Sequence, residues 1–232
     1  GTTPQFAGPG NAVFESVSLN GSTIAQGDLG SAVLPVGAPV ATWRIGSAVE
    51  VKWALRFNHG GGYQYRLCPV EQLSEDCFQA HPMRFVRNSQ ALEWKNGTRR
   101  NVPDQQYVDE GVIPVGFDWM RNPIPVISGQ HPGCEDGRNV SAVDSRGIPC
   151  RQFEPPCPED HGWGVTPGSS DATDVMGPCS NNWVDGVIVD QVLVPDGLPP
   201  GAYVLGFRWD CEQTSQVWSS CSDIRLVADD DE

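Results

Sequence analysis

The sequence predicts an all-β domain, built as a sandwich of two sheets with long disulfide-held loops. Short runs of alternating apolar and polar residues recur along the chain, and none supports a long helix. The 26 glycines and 20 prolines among 232 residues follow no collagen-like period and mark turns between these runs. The eight cysteines, an even number, predict disulfides that hold the longer loops.

The first clear strand is predicted over Ala48–Phe57. Apolar residues occupy every second position there, which places them on one face of a strand. The glycines of Gly60–Gly62 end this run, and alternation resumes at Tyr63–Leu67. We therefore expect these two strands to form a hairpin with a glycine-rich connection.

The remaining elements follow from the same patterns. A short helix is predicted over Leu73–Gln79, with Ser74 as its N-cap. Further strands are predicted near Met83–Val86, Val187–Val194, Tyr203–Asp210 and around Ile224 and Leu226. Short strands separated by turn signals are typical of two packed sheets.

The chain is predicted to form a single domain over residues 1–228, followed by a solvated acidic tail at 229–232. Residues 1–40 are poor in charge and are expected to form an N-terminal arm with one strand at Ala12–Ser18. Residues 128–180 combine four cysteines with many glycines and prolines and show little periodicity. We interpret them as a loop excursion held by disulfides, since unbridged loops of that length are uncommon.

The net charge of -14 narrows the choice of partners. Nucleic acids and anionic membrane surfaces are disfavoured, because they carry the same sign of charge. No apolar run is long enough to insert across a bilayer. A neutral polysaccharide such as chitin, cellulose or another cell-wall glycan is compatible, as is an extracellular protein. The first residues show no signal-peptide pattern, so we expect any such segment to be already removed or to lie upstream.

The cysteines and glycosylation motifs predict a secreted glycoprotein. No Cys-x-x-Cys motif occurs, which disfavours a structural zinc site or a thioredoxin-like redox motif. Local spacing predicts that Cys68 pairs with Cys77 and that Cys211 pairs with Cys221. The pairing of the other four stays open: Cys134, Cys150, Cys157 and Cys179. Asn-x-Ser/Thr motifs predict glycosylation at Asn20, Asn96 and Asn139.

The first candidate functional residue is His59, which lies in the run Asn58–Gly62. Three interpretations are open: an oxyanion-hole segment, a glycine-rich hairpin with an incidental histidine, or a metal ligand. The first needs a Gly-x-Ser-x-Gly elbow and α/β alternation, which the sequence lacks. The closing segment is explained structurally as a final hairpin, but this leaves open why Gln216 and Trp218 lie together between two cysteines.

Taken together, these segments resemble the lytic polysaccharide monooxygenases. The resemblance lies in Asn58-His59-Gly60-Gly61-Gly62-Tyr63-Gln64-Tyr65-Arg66-Leu67-Cys68-Pro69, then Cys77-Phe78 and His81-Pro82, and finally Gln216-Val217-Trp218-Ser219-Ser220-Cys221. It covers roughly Val40 to Val227. The nearest group is the animal and algal or oomycete branch with the type-four chitin-binding fold.

The resemblance implies an immunoglobulin-like or fibronectin-III-like β-sandwich with copper held in a histidine brace. It assigns three positions: His59 binds the metal, Trp218 lies on the axial side of the metal, and Gln216 lies next to the residues that bind the metal. The implied reaction is oxidative cleavage of glycosidic chains. Four tryptophans outside the clear strands are candidates for stacking on sugars: Trp94, Trp119, Trp163 and Trp183.

Two departures from the family pattern bear on catalysis. The brace takes two nitrogens from an N-terminal histidine, but residue 1 is Gly and no histidine precedes His59. The axial residue is Trp rather than Tyr or Phe, and its larger ring would crowd the metal. The sequence thus predicts a secreted polysaccharide-associated protein, glycan-binding or structural, with an incomplete copper brace.

Two alternatives remain open at this stage. One is an active copper monooxygenase whose N-terminal histidine lies outside this sequence. The other is an extracellular copper-binding protein that uses His59 with a second histidine, such as His81 or His131.

Overall fold

The protein is a sandwich of two β-sheets, as the sequence predicts. The structure, a computed structural model, describes residues 17–19, 22–24, 28, 30–54, 58–124, 143, 156–157, 186–212 and 216–228. The predicted acidic tail and almost all of the predicted excursion at 128–180 lie outside the described residues, as does most of the strand predicted at Ala12–Ser18.

Among the described residues, the larger sheet has six strands. In spatial order they are β3 (Ala41–Arg44), β13 (Val217–Val227), β12 (Gly201–Asp210), β5 (Gly62–Pro69), β10 (Trp119–Arg121) and β9 (Tyr107–Val108). Strands β3 and β13 pair in parallel, and the other neighbouring strands pair antiparallel.

In the described part of the chain, the second sheet has five strands, all antiparallel. Its order is β4 (Ala48–Trp53), β11 (Gly186–Leu193), β7 (Ala91–Trp94) and β8 (Arg99–Asn101), with β6 (Arg84–Phe85) also paired to β11. The other elements that the structure describes are β1 (Val17–Leu19), β2 (Ser22–Ile24), α1 (Gly30–Val33), a 3₁₀ turn (Val70–Gln72) and α2 (Glu75–Ala80). None of the described helices is long and apolar enough to cross a membrane.

The core lies between the two sheets and is rich in aromatic side chains. Strand β5 directs Tyr63, Tyr65 and Leu67 inward, where they meet Trp53 and Ile188 of the opposite sheet. Period-two alternation explains this arrangement, because every second side chain of a strand faces the partner sheet.

The predicted hairpin between Ala48–Phe57 and Tyr63–Leu67 is wrong. Strand β4 pairs with β11, and β5 pairs with β12 and β10, so the two strands belong to different sheets. The glycine-rich segment therefore crosses from one sheet to the other. Alternation identifies strands but does not determine their partners, and residues 55–57 lie outside the described residues.

The predicted helix is confirmed as α2, with Ser74 at its N-cap accepting a hydrogen bond from the Cys77 N–H at 3.1 Å. The predicted disulfide between Cys68 and Cys77 is present. It ties α2 to the outer face of β5. There Phe78 packs against Cys68 and Val204 in a small apolar cluster separate from the main core.

The predicted disulfide between Cys211 and Cys221 is wrong, since both residues are free thiols in the described part of the chain. The cause is the register of the last hairpin, which pairs Gly206 with Cys221 and Asp210 with Val217. Cys211 therefore lies five positions beyond the residue opposite Cys221, roughly 17 Å at the rise of a strand. A disulfide needs its Cα atoms within about 7 Å.

The other predicted cysteine and glycosylation sites are only partly covered. Cys157 is disulfide-bonded and packs against the main core, whereas Cys134, Cys150 and Cys179 lie outside the described residues. Asn96 is exposed in the turn between β7 and β8, and its glycosylation stays a prediction. Asn20 and Asn139 lie outside the described residues.

Candidate functional site

His59 lies in the segment that crosses between the sheets, and buried side chains hold that segment in place. Asn58 accepts hydrogen bonds from the Gly60 N–H at 3.0 Å and from the Asn122 amide at 2.9 Å. Its own amide donates to the Ile124 carbonyl at 3.2 Å. The Asn122 N–H donates to the Gly61 carbonyl at 2.9 Å. Two buried asparagines thus anchor the backbone on both sides of His59.

The glycines after His59 are required by the local backbone conformation and by the lack of room for a Cβ atom. Gly60 and Gly61 have φ values of 61° and 77°, in the left-handed region that disfavours other residues. A Cβ on Gly61 would lie 1.9 Å from the Asp210 carbonyl oxygen. The Trp209 indole N–H donates to the Gly60 carbonyl at 2.6 Å. The segment therefore packs tightly on the end of β12.

The imidazole of half-buried His59 belongs to a series of stacked rings. Its centroid lies 6.4 Å from that of Trp209 at an interplanar angle of 28°. Trp209 in turn stacks on Trp218, at 6.5 Å and 26°, and contacts Trp53 at 5.4 Å. The sequence predicts only that Trp209 lies in the strand Tyr203–Asp210, yet Trp209 is the aromatic residue beside His59.

The hairpin end that carries Gln216 lies against the same segment. The Glu212 N–H donates to the His59 carbonyl at 3.1 Å, and the Cys211 N–H donates to the Gln216 carbonyl at 3.0 Å. The side-chain oxygen Oε1 of Gln216 is buried and has no hydrogen-bond partner among the described residues. His59, Gln216 and Trp218 are therefore brought to one end of the sandwich.

Burial makes the thiol beside this site inert. It raises the pKa of Cys211 to about 12, so the thiol stays protonated at neutral pH. The thiolate is the nucleophilic and metal-binding form. We therefore assign Cys211 no chemical role at the site.

The described residues do not complete a copper site. No three side chains of His, Cys, Asp or Glu within the described ranges cluster as a metal centre would require. The other described histidine, His81, is the C-cap of α2, where its Nδ1 lies 3.0 Å from the Cys77 carbonyl oxygen. The buried Gln216 Oε1, which has no partner among the described residues, suits a position next to a bound metal. A histidine brace needs three nitrogen ligands, however, and His59 supplies only one of them.

The tryptophans predicted to stack on sugars divide into three cases. Trp94 is 5% exposed in the core, so its ring is not available for stacking, and that prediction is wrong for this residue. The cause is that the segment forms β7, whose alternation places Trp94 inward. Trp119 is 8% exposed, but it lines a surface cleft. Trp163 and Trp183 lie outside the described residues.

Asn122 is a site residue that sequence reasoning missed. Its contact with Asn58 joins residues 64 positions apart. The available signal was an Asn-Pro step directly after a short strand, which marks a turn but not its partner.

Comparison with known proteins places this geometry in context. No family model matches the chain. The AA13 family lytic polysaccharide monooxygenase A of Pyricularia oryzae is 23% identical over 201 residues. This chain is distantly similar to lytic polysaccharide monooxygenases. The match covers 83% of the chain but 44% of that monooxygenase, so the chain spans less than half the length of this curated relative.

Solved structures show weaker likenesses. The AA15 lytic polysaccharide monooxygenase from Thermobia domestica in the Cu(I) state is 14% identical, with a TM-score of 0.37. The match covers 82% of this chain and 64% of that structure. AvmM, which catalyses macrocyclization in alchivemycin A biosynthesis, is 10% identical with a TM-score of 0.28, covering 94% and 98%. These scores are too low to support an argument about function.

Proposed function

We propose that this chain is a secreted, polysaccharide-associated protein of the lytic polysaccharide monooxygenase-like class, acting as a glycan-binding or structural protein. The observation that carries the proposal is the Asn58–Gly62 segment. It presents a half-buried imidazole stacked on Trp209 and is anchored by Asn58 and Asn122. The distant sequence similarity connects this geometry to proteins named for acting on polysaccharides.

The charge of the protein supports a neutral partner. A net charge of -14 opposes binding to anionic polymers and leaves neutral glycans such as chitin or cellulose as the compatible class. Binding of this kind needs no redox step. It is consistent with the described residues at this end of the sandwich, which supply one imidazole, that of His59, rather than a full set of copper ligands.

Co-sedimentation with insoluble polysaccharides tests the proposal. The protein is incubated with chitin, cellulose or starch, with and without a metal chelator, and the bound fraction is measured against concentration. We expect retention on at least one of these polymers, and the chelator should not change it. Absence of retention on every polymer under both conditions would refute the proposal. Retention that the chelator abolishes would instead indicate metal-dependent binding.

A second candidate is an active copper monooxygenase completed by a histidine outside this sequence. It is supported by the buried Gln216 Oε1, which has no partner among the described residues and lies at the His59 end. An unpaired buried polar atom is costly, and such atoms occur at functional sites. In this candidate His59 would hold the copper, and Gln216 would orient a polar group next to it.

N-terminal sequencing of the protein from its natural source, followed by copper titration with electron paramagnetic resonance, tests this candidate. We expect a one-to-one type-two copper signal that disappears in His59→Ala and persists in His81→Ala. A native start at Gly1 or an unchanged signal in His59→Ala would eliminate the candidate. Tight copper binding without oxidised saccharide products would favour an extracellular copper-binding protein.

A further inference from the structure

A cleft opens on the outer face of the six-stranded sheet, beside the His59 segment. It has a volume of about 390 Å³ and lies between α2 and the chain around Val108–Ile113. Gly61 and Gly62, directly after His59, form part of its lining, as does Glu212, whose N–H bonds to the His59 carbonyl. The cleft therefore begins next to the candidate site but faces away from the core.

One wall of the cleft is a network of paired charges. Arg66 bonds to Glu75 at 2.7 Å, and Arg208 lies 3.4 Å from the same carboxylate. Arg208 also forms a two-pronged contact with Asp210, at 2.7 and 2.9 Å. Arginine pairs of this kind hold planar donors and acceptors in a defined orientation. The wall is therefore arranged for directional hydrogen bonding before any ligand arrives.

The charges around the cleft cancel. Its lining contains three arginines and three carboxylates, because Arg121 and Glu212 form a further pair at 3.1 Å. Arg66 is buried, and its Nε has no hydrogen-bond partner among the described residues. A ligand with a full charge would meet no net opposite charge here. The lining instead suits a neutral ligand that carries many hydrogen-bonding groups.

The opposite wall is apolar. Val108 and Ile113 are 41% and 62% exposed, and Trp119 lies between them and Arg208. The Trp119 indole donates to the Ile113 carbonyl at 3.0 Å, which holds this wall together. A pyranose ring has apolar C–H faces and a rim of hydroxyl groups, so it can contact both walls at once. Clefts of this size that combine apolar surface with a few convergent polar groups are typical ligand sites.

We propose that this cleft is a binding site for a neutral oligosaccharide segment, next to the His59 end but formed by different residues. The proposal rests on the polysaccharide-associated function proposed above and assigns a location to part of that binding. The hydroxyl rim would bond to the Arg66, Glu75 and Arg208 network. The ring faces would lie against the apolar wall.

Calorimetric titration of the full chain with soluble hexasaccharides tests this assignment. The probes are β-1,4-linked glucose, β-1,4-linked N-acetylglucosamine, α-1,4-linked glucose and, as an anionic comparison, oligogalacturonate. Val108→Arg and Gln79→Arg place a long charged side chain into the cleft from opposite walls. Val115→Arg is the matched control, because Val115 is 88% exposed and outside the lining.

The wild type should bind at least one neutral hexasaccharide better than oligogalacturonate. Both cleft variants should weaken that binding about tenfold or more, with Val115→Arg within about twofold of wild type. Absence of neutral binding, preference for the anionic probe, or equal behaviour of the three variants would overturn the assignment. Circular dichroism confirms that each variant is folded.

The two proposals fail separately. If insoluble polysaccharide retains the protein but the cleft variants bind hexasaccharides like wild type, the assignment of the cleft is wrong and the proposed function stands. If hexasaccharide binding depends on the cleft but no insoluble polymer retains the protein, the cleft stands and the proposed function is wrong.

Discussion

At the scale of single residues, His59 is held more rigidly than a run of three glycines would indicate. Glycine adds backbone freedom to an unfolded chain. Here the Asn58 side chain, the Asn122 backbone N–H and the Trp209 indole remove that freedom through hydrogen bonds to the Gly60 and Gly61 backbone. A pre-positioned imidazole loses little further entropy when it contacts a ligand.

Replacement of Gly61 by alanine tests this close packing. Gly61→Ala should destabilise the fold by more than the roughly 1–2 kcal/mol expected for a left-handed L-residue, because its Cβ would lie 1.9 Å from the Asp210 carbonyl oxygen. Gly97→Ala is the matched control, with φ of 86° and no atom within 4 Å of the added Cβ. Urea unfolding measures both variants, and tryptophan fluorescence should shift only in Gly61→Ala. Equal losses of stability would contradict the close contact.

At the scale of elements, two features hold α2 close to the sheet: a disulfide bond and a glycine that leaves room for the helix. The Cys68–Cys77 disulfide joins the helix to β5. A Cβ on Gly206 would lie 2.9 Å from the Phe78 ring, so glycine at this position of β12 allows the helix to approach. Since Glu75 and Gln79 of α2 line the cleft, the position of this helix determines the cleft's shape.

Removal of one cysteine from the bonded pair should affect stability, whereas removal of a free cysteine should not. Cys77→Ala should cost about 2–4 kcal/mol, the usual contribution of a native disulfide. Cys221→Ala, at an exposed free thiol, should stay within about 0.5 kcal/mol of wild type. Urea unfolding measures both, and thiol titration of the native protein should detect Cys221. A large loss in Cys221→Ala would indicate that this residue is bonded after all.

At the scale of the whole molecule, a buried carboxyl group links the two sheets. Asp190 of β11 accepts a hydrogen bond from the Tyr63 hydroxyl of β5 at 2.8 Å, and Gln90 donates to the same hydroxyl at 2.7 Å. Burial raises the pKa of Asp190 to about 7, despite the opposing effect of the hydrogen bond from Tyr63. The folded protein therefore keeps this carboxyl group protonated at a pH where the unfolded chain has lost the proton.

Stability should consequently depend on pH through Asp190. Below pH about 4 both states are protonated and the group has no net effect. Between pH about 4 and about 7 the folded state holds the extra proton, so stability falls as pH rises, by up to roughly 4 kcal/mol for this shift. Asp190→Asn removes the titration, so its stability relative to wild type should increase across that range. Parallel unfolding profiles of the two proteins from pH 4 to 8 would contradict this.

The sequence by itself determined the class of the fold and most of its strands. Alternation at Val187–Val194 and Tyr203–Asp210, and the cap at Ser74, are local properties that depend on side-chain period and backbone hydrogen bonding. The Cys68–Cys77 disulfide was predicted from another local property, the short distance between the two cysteines in the sequence. The grouping of His59, Gln216 and Trp218 as one candidate site came from the resemblance to the lytic polysaccharide monooxygenases.

Only the tertiary structure decided which elements are partners. Strand pairing separated β4 from β5, and hairpin register separated Cys211 from Cys221, because register depends on contacts between distant parts of the chain. The Asn58–Asn122 anchor and the saccharide cleft likewise combine residues far apart in sequence. The sequence thus proposed His59 as a functional residue, and the packing around it determined how its ring is held and what lies beside it.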